Sequence, residues 1–176
     1  MKERELALVL SRISFVLNRH PKDVLGPQVP SKVYEASYKL LLVLLQRYPK
    51  QLSNCVPCVV IVLRMMQRQA MAGPQAGPEM IDKGQKYGRL CEILIPQKEI
   101  YKKHVLGLLI DFIEALKGDM HPNCKKILQP AIFSLLDLLS QYETQQLNAL
   151  IDDTGKSLFR SVFQDYQTAH VYKGQY

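Results

Sequence analysis

The residues of this chain best suited to chemistry are its four cysteines, two of which form a Cys-x-x-Cys motif at Cys55 and Cys58. At the start of a helix such a motif suggests redox chemistry, because the helix dipole lowers a thiol pKa there. A thioredoxin-type site needs a βαβ context, and a zinc site needs a second ligand pair. Cys91 and Cys124 stand alone in the sequence. We therefore expect reduced cysteines that pack in a core, in an intracellular protein.

The sequence Thr-Gly-Lys-Ser at positions 154–157 matches the end of a phosphate-binding P-loop. That loop needs a glycine where this chain has Leu150, and it follows a strand, whereas residues 143–151 have a helical pattern. We expect a helix start instead, at which Asp152, Asp153 and Thr154 cap the free N–H groups.

Acid–base catalysis has one candidate pair, Asp111 and Glu114, which are three residues apart on one predicted helix. Because they lie opposite its apolar stripe, we expect both carboxylates to be solvated and poorly suited to acid–base work. The four histidines fall in separate segments, and no Gly-x-Ser-x-Gly motif occurs. The sequence thus predicts a protein that is not an enzyme, with no cofactor, no metal and no small-molecule substrate.

Basic residues are concentrated in the first part of the chain. Residues 1–70 hold 11 Lys and Arg against 4 Asp and Glu, whereas residues 71–120 hold 7 of each and residues 121–176 hold 5 of each. Such an excess steers a protein toward phosphate or acidic protein surfaces, although a solvated helical face has the same composition. The candidate residues for binding RNA or an acidic partner are Arg12, Arg19, Lys22, Lys32, Lys39, Arg47 and Lys50.

The elements that must position these residues are helices. Apolar residues recur with helical spacing along nearly the whole chain, including 56–71, 79–95 and one long helix over 101–116. The run Leu40–Leu45 is apolar on all sides, which predicts a helix buried between neighbours. No segment alternates with period two between hairpin turn residues, so strands are not expected.

Pro and Gly stand where these helices should end. The sequence Arg-His-Pro-Lys at 19–22 is repeated as Arg-Tyr-Pro-Lys at 47–50 and, more faintly, as Ile-Pro-Gln-Lys at 95–98. Helix pairs with a period of roughly 40 to 50 residues are typical of armadillo and HEAT repeats. The sequence therefore predicts an all-α, armadillo/HEAT-like helical solenoid fragment of about seven to eight helices, with a closed helical bundle as the alternative.

The composition agrees with a single globular domain over residues 1–176. At 47% apolar and 22% charged residues, the chain can bury a core without disulfides. Its apolar runs are far shorter than the ~20 residues of a membrane span, so no membrane contact is expected. We expect a flexible Gly/Pro loop at 72–79 and a C-terminal tail at 171–176, whose tyrosines dock on this protein or on a partner.

The C-terminal segment also carries a family resemblance. Its parts are a Leu-rich helix from Ala131, the turn Ala149–Asp152, the pair Asp165 and Tyr166, and the ending Tyr172-Lys173-Gly174. In this order the segment resembles the C-terminal end of the nucleolar "unhealthy ribosome biogenesis" proteins of the second type. Over residues 59–69 and 86–116 the similarity is one of layout only.

The resemblance implies a non-catalytic helical-repeat scaffold in nucleolar large ribosomal subunit assembly and pre-rRNA processing. It implies large-subunit assembly factors as partners, among them a companion scaffold and a DEAD-box helicase, with pre-rRNA as a further candidate. Because members of that family are far longer, it also implies that this chain is a C-terminal domain. The candidate protein-binding residues are Tyr166, His170, Tyr172, Lys173 and Gly174. A cytoplasmic HEAT/armadillo-like protein–protein adaptor that binds peptides in its groove is the alternative.

Overall fold

The computed structural model describes residues 3–18, 29–72, 77–118 and 120–172, without the side chains of residues 171 and 172. Eight of the described helices have ten residues or more, and no described residue lies in a strand, so the predicted all-α class is confirmed. The helices are α1 Glu3–Asn18, α2 Ser31–Arg47, α3 Pro49–Leu52, α4 Val56–Met71, α5 Pro78–Leu94, α6 Lys98–Tyr101, α7 Leu106–Lys117, α8 Pro122–Asp137, α9 Gln141–Leu150 and α10 Asp153–Tyr172.

These helices stack in two layers. In one layer α1 packs on α4 and α4 packs on α7, and in the other α2 packs on α5 and α5 packs on α8. The layers are joined by α1 against α2 and by α4 against α5, while α10 packs on α7 at the far end. Each helix thus contacts its neighbours in the stack, which is the arrangement of a helical solenoid.

The internal repeat falls at equivalent connections between the layers. α2, α5 and α8 begin at Ser31, Pro78 and Pro122, roughly 45 residues apart. After α2, Pro49 opens the short helix α3, and after α5, Pro96 lies in a 3₁₀ turn that leads into α6. Both prolines stand where a short connecting helix turns the chain into the other layer. The copy of the repeat at 19–22 lies outside the described residues.

The predicted single helix over 101–116 is wrong, because the chain turns between α6 and α7. The carbonyl of Tyr101 accepts hydrogen bonds from the N–H groups of His104 at 2.8 Å and Val105 at 3.2 Å, which closes a tight turn. Tyr101 and Val105 are both fully buried. Their apolar spacing is that of a helix, so the sequence pattern alone does not reveal the break.

The predicted loop and tail are shorter than expected where the structure describes them. α5 begins at Pro78, so the last two positions of the predicted 72–79 loop are helical. α10 continues through Tyr172, so the first two positions of the predicted 171–176 tail are helical as well. Residues 73–76 and 173–176 lie outside the described residues.

Candidate functional site

An open groove runs between α1 and α2 and has a volume of about 590 Å³. We call it the N-terminal groove and define it by Val9, Arg12 and Val16 on α1 and by Lys32 and Leu40 on α2. Val16 and Leu40 are 43% and 42% exposed, so apolar side chains of both helices lie open in one concavity. A contiguous apolar surface of this kind is typical of a binding site.

The two cations of the N-terminal groove lie on its opposite walls. Arg12 on α1 and Lys32 on α2 are exposed, and neither forms an ion pair with another described residue. Lys39, in contrast, pairs with Glu35 at 2.8 Å between Nζ and Oε1. Among the described residues, the positive charge of Arg12 and Lys32 is therefore uncompensated.

A buried polar network fixes the start of α2. The N–H of Val29 donates to Oε1 of Gln69 at 2.9 Å, and the carbonyl of Val29 accepts from Nζ of Lys83 at 3.4 Å. The Tyr34 hydroxyl donates to the carbonyls of Lys83 at 3.0 Å and Met66 at 3.3 Å. Burial lowers the pKa of Lys83. These bonds hold one wall of the groove against α4 and α5.

Five of the seven predicted basic residues are described, and of these the structure brings Arg12 and Lys32 together in the N-terminal groove. Arg47 ends α2, about 22 Å along the helix from Lys32 at 1.5 Å per residue. Lys50 lies on α3, where it is exposed, and Arg19 and Lys22 lie outside the described residues. The predicted basic face is thus divided between the groove and the C-terminal end of α2, and its binding role stays a prediction.

The expectation that Leu40–Leu45 is buried on all sides is wrong for part of the run. Leu41, Leu44 and Leu45 are buried, but Leu40 is 42% exposed and Val43 is 47% exposed. The run Leu40–Leu45, which is apolar on every side, is the signal in the sequence for an open apolar surface. Its exposure depends on which neighbours α2 has, and the apolar pattern does not encode that.

At the other end of the stack, Tyr166 docks α10 onto α8. Its hydroxyl donates to Oδ1 of Asp137 at 2.6 Å, and its ring packs edge-on against Phe133 with centroids 5.5 Å apart. Nε2 of His170 lies 3.1 Å from the same Asp137 oxygen, and its ring lies 4.1 Å from that of Tyr166. Burial, and then the hydrogen bond to Asp137, raises the pKa of Tyr166.

A second groove, of about 660 Å³, lies between α5, α8 and the end of α10. We call it the polar groove, and it is defined by Arg89, Glu92, Lys126, Asp137 and His170, which carry both signs of charge. Among the predicted protein-binding residues, His170 lines this groove and Tyr166 anchors its wall. Tyr172 lies in the last turn of α10, and Lys173 and Gly174 lie outside the described residues. Their role in binding stays a prediction.

Three of the four thiols, those of Cys55, Cys91 and Cys124, have surroundings that oppose reactivity. Cys55 is buried, its Sγ donates to the carbonyl of Glu3 at 3.9 Å, and burial raises its pKa. Burial raises the pKa of Cys91 to about 12 and also raises that of Cys124. The predicted packing of these cysteines in the core is confirmed for the three buried ones. Among the residues that the structure describes, no three His, Cys, Asp or Glu side chains gather as a metal site would require.

The expectation that Asp111 is a solvated carboxylate is wrong. Its side chain is 14% exposed, and its two oxygens accept from Nε and Nη2 of Arg64 at 2.5 Å each. Arg68 lies 3.4 Å away on the same helix, α4. Because α4 covers this side of α7, Asp111 ties the two helices together. Glu114 is exposed, as expected, and pairs with Lys117.

The Thr-Gly-Lys-Ser sequence lies at a helix start, as predicted. Oδ1 of Asp152 accepts from the N–H of Gly155 at 2.8 Å and from Nζ of Lys117 at 2.7 Å. The bond to Lys117, and then the bond to Gly155, lowers the pKa of Asp152. Asp152 thus caps α10 and joins it to the end of α7.

The stack and its two open grooves define a helical-repeat protein, a class that typically acts through its surfaces. No described helix is both long enough and apolar enough to cross a membrane. The Urb2/Npa2 family matches residues 2–175, so the chain belongs to this family, and membership implies involvement in ribosome biogenesis. The similarity noticed at residues 131–174 therefore extends over nearly the whole sequence. No solved structure matches the chain.

Proposed function

We propose that this chain acts as a non-catalytic scaffold in nucleolar large ribosomal subunit assembly and pre-rRNA processing. The observation that carries the proposal is the Urb2/Npa2 family match over residues 2–175. The described helices of this region form a two-layered stack. A stack with open grooves offers extended surfaces to several partners, as assembly of a large particle requires.

The contacts of its reactive groups support a binding role over a catalytic one. Cys91 is fully buried, Asp111 is paired with two arginines, and Asp152 caps a helix. These side chains have structural partners, whereas the cations of the N-terminal groove have no described ion partner.

The two ends of the stack have different proposed partners. Arg47 and Lys50 are both exposed near the junction of α2 and α3, and their proposed partner is the pre-rRNA backbone or an acidic protein surface. The segment with Tyr166, His170, Tyr172, Lys173 and Gly174 is proposed to bind protein beside the polar groove. Candidate partners are a companion scaffold and a DEAD-box helicase, which the C-terminal resemblance implies.

The test is a pull-down of the tagged chain from cells, with and without RNase, read by mass spectrometry and by probing for pre-rRNA. Recovery of large-subunit assembly factors is the expected result, and their loss after RNase would show that RNA mediates the contact. If trafficking or cytoskeletal proteins are enriched and no assembly factor is, the cytoplasmic adaptor replaces the scaffold.

Charge-reversal variants assign the RNA contact to residues. The double variant Arg47→Glu with Lys50→Glu should recover less pre-rRNA than the unchanged chain, with the largest difference at low salt. A matched control reverses Lys103 and Arg160, which are exposed cations elsewhere on the stack. Equal pre-rRNA recovery by both double variants would argue against a contact at the end of α2.

A further inference from the structure

Building on the scaffold function above, we propose that the N-terminal groove docks an amphipathic helix of a partner protein that carries acidic residues beside its apolar anchors. The groove lies between α1 and α2, and Val16, Leu40, Arg12 and Lys32 are its main features. Its position in the stack, its apolar surface and its charge each favour this occupant.

The groove faces away from the rest of the stack. Tyr34 points toward α4 and α5, where its hydroxyl bonds the carbonyls of Met66 and Lys83. Ala36 lines the groove and lies two residues further on, about 200° around the helix at 3.6 residues per turn. The groove is therefore the outer face of the first described helix pair, on the side that no other described helix covers.

This outer face is largely apolar among the described residues. An open apolar face on a stack of helices promotes association with another surface. Here Val9 and Val33 line the same concavity as the exposed Val16 and Leu40. Two helices with an apolar groove between them can bind a third helix, whose apolar side chains at i, i+3, i+4 and i+7 enter the groove.

The two cations on the groove walls determine which charged residues are favoured beside the apolar anchors of that helix. Arg12 and Lys32 stand on either side of the apolar floor without a described ion partner. A docked helix with Glu or Asp beside its apolar anchors would pair with both cations, whereas one with Lys or Arg there would be repelled. The described lining holds no aromatic side chain on which a base could stack, which disfavours RNA as the occupant.

The test uses three stapled helical peptides and fluorescence anisotropy with the full chain. The first peptide has leucines at i, i+3, i+4 and i+7 flanked by Glu, the second has the same leucines flanked by Lys, and the third keeps Glu but replaces the leucines by Ser. The first should bind about tenfold more tightly than either of the others, because it alone satisfies both the apolar floor and the cations.

Variants of the groove then assign the binding to it. The double variant Arg12→Glu with Lys32→Glu should reverse the preference, so that the Lys-flanked peptide binds more tightly than the Glu-flanked one. Leu40→Asp should weaken both leucine peptides. Reversal of Lys103 and Arg160 should change neither preference, and circular dichroism and thermal denaturation of every variant exclude misfolding as the cause of a loss.

Three results would overturn the acidic-helix assignment. Equal binding of the Glu-flanked and Lys-flanked peptides, unchanged by reversing Arg12 and Lys32, would show that the groove does not select acidic flanks. Displacement of the Glu-flanked peptide by an RNA oligomer that also requires Arg12 and Lys32 would assign the groove to RNA. Self-association in sedimentation that disappears with Leu40→Asp would assign it to a second copy.

The pull-down separates this inference from the function on which it rests. If the variant with Arg12 and Lys32 reversed still recovers every assembly factor, the groove has no such partner and the scaffold function stands. If the unchanged chain recovers no assembly factor, the scaffold function fails, whatever the peptides show.

Discussion

Tyr166 uses both its hydroxyl and its ring to hold the last helix on the body of the protein. The hydroxyl donates to Asp137 at 2.6 Å, and the ring lies between Phe133 and His170. A tyrosine near the end of the chain, singled out as a candidate for partner binding, thus already has a complete set of contacts within the chain. Any partner at the polar groove meets a surface that Tyr166 has preorganised.

Replacing Tyr166 by Phe should lower the free energy of unfolding by about 1–2 kcal/mol. The variant keeps the ring on Phe133 but removes one hydrogen bond to the Asp137 carboxylate, which retains His170 as its other partner. Urea denaturation followed by circular dichroism measures the difference.

Tyr142→Phe is the matched control for this substitution. Tyr142 is 62% exposed, and its hydroxyl accepts only from Gln146 on the surface of α9 among the described contacts. Its removal should change the free energy of unfolding by less than about 0.5 kcal/mol. Equal losses for the two tyrosines would mean that the bond to Asp137 contributes nothing beyond a surface hydroxyl.

At the scale of the helices, the most extensive contact is between α5 and α8, and α5 has two glycines one turn apart on the side that faces α8. A Cβ at Gly84 would overlap the branched side chain of Ile127. A Cβ at Gly88 would meet the N of Ala131 at 3.8 Å, which is an ordinary van der Waals distance. Only Gly84 is therefore required for this close approach.

Gly84→Ala should destabilise the protein by about 1–3 kcal/mol, because a β-branched residue such as Ile127 has little freedom to move aside. Gly88→Ala should be neutral or stabilising by up to about 1 kcal/mol, since alanine favours a helix and nothing obstructs it. Thermal denaturation of both variants checks this contrast. Stabilisation by both would show that α5 and α8 are not in close contact at Gly84.

The helical spacing of apolar residues predicts most of the helices well, but it predicts the breaks between them less well. The bounds of α4, Val56–Met71, agree with the predicted 56–71 because Pro57 and the glycine-rich segment mark both ends. The turn between Tyr101 and Val105 was missed because both residues are buried at a helical spacing. Likewise, the pattern of α5 does not distinguish Gly84, whose importance depends on a residue of another helix.

For the molecule as a whole, one buried network ties three helices of the stack together. Gln67 on α4 accepts from the hydroxyl of Tyr87 on α5 at 2.7 Å and donates from Nε2 to the carbonyl of Leu108 on α7 at 2.9 Å. Gln67 and Tyr87 are fully buried. The network crosses from one layer to the other and bridges successive helices of the first layer.

The sequence predicted the stack but neither this network nor the N-terminal groove. The partners of Gln67 are 20 and 41 residues away in the chain, and no local pattern pairs them. Of the five predicted basic residues that the structure describes, Arg12 and Lys32 line one groove, because the rotation of α2 about its own axis decides which side chains face α1. The sequence therefore predicts which segments form helices, but not how helices that are distant in the chain are oriented against one another.

Gln67→Met should lower the free energy of unfolding by about 2 kcal/mol or more, because it removes the buried hydrogen bonds that Gln67 forms with the Tyr87 hydroxyl and the Leu108 carbonyl. Tyr87→Phe removes the hydroxyl that donates to Gln67, so one of these two bonds is already absent in that variant. The double variant should therefore be less destabilised than the sum of the two single variants, with a coupling of about 0.5–3 kcal/mol. Urea denaturation of all four proteins in the cycle measures it.

The matched comparison combines Gln67→Met with Tyr166→Phe, two residues that share no described hydrogen-bond partner. Their effects should add to within about 0.5 kcal/mol. If the Gln67 and Tyr87 substitutions also add, the two side chains do not act as a unit. Coupling of Gln67 to Tyr87 but not to Tyr166 would show that the layers are joined at the centre of the stack independently of the end that α10 closes.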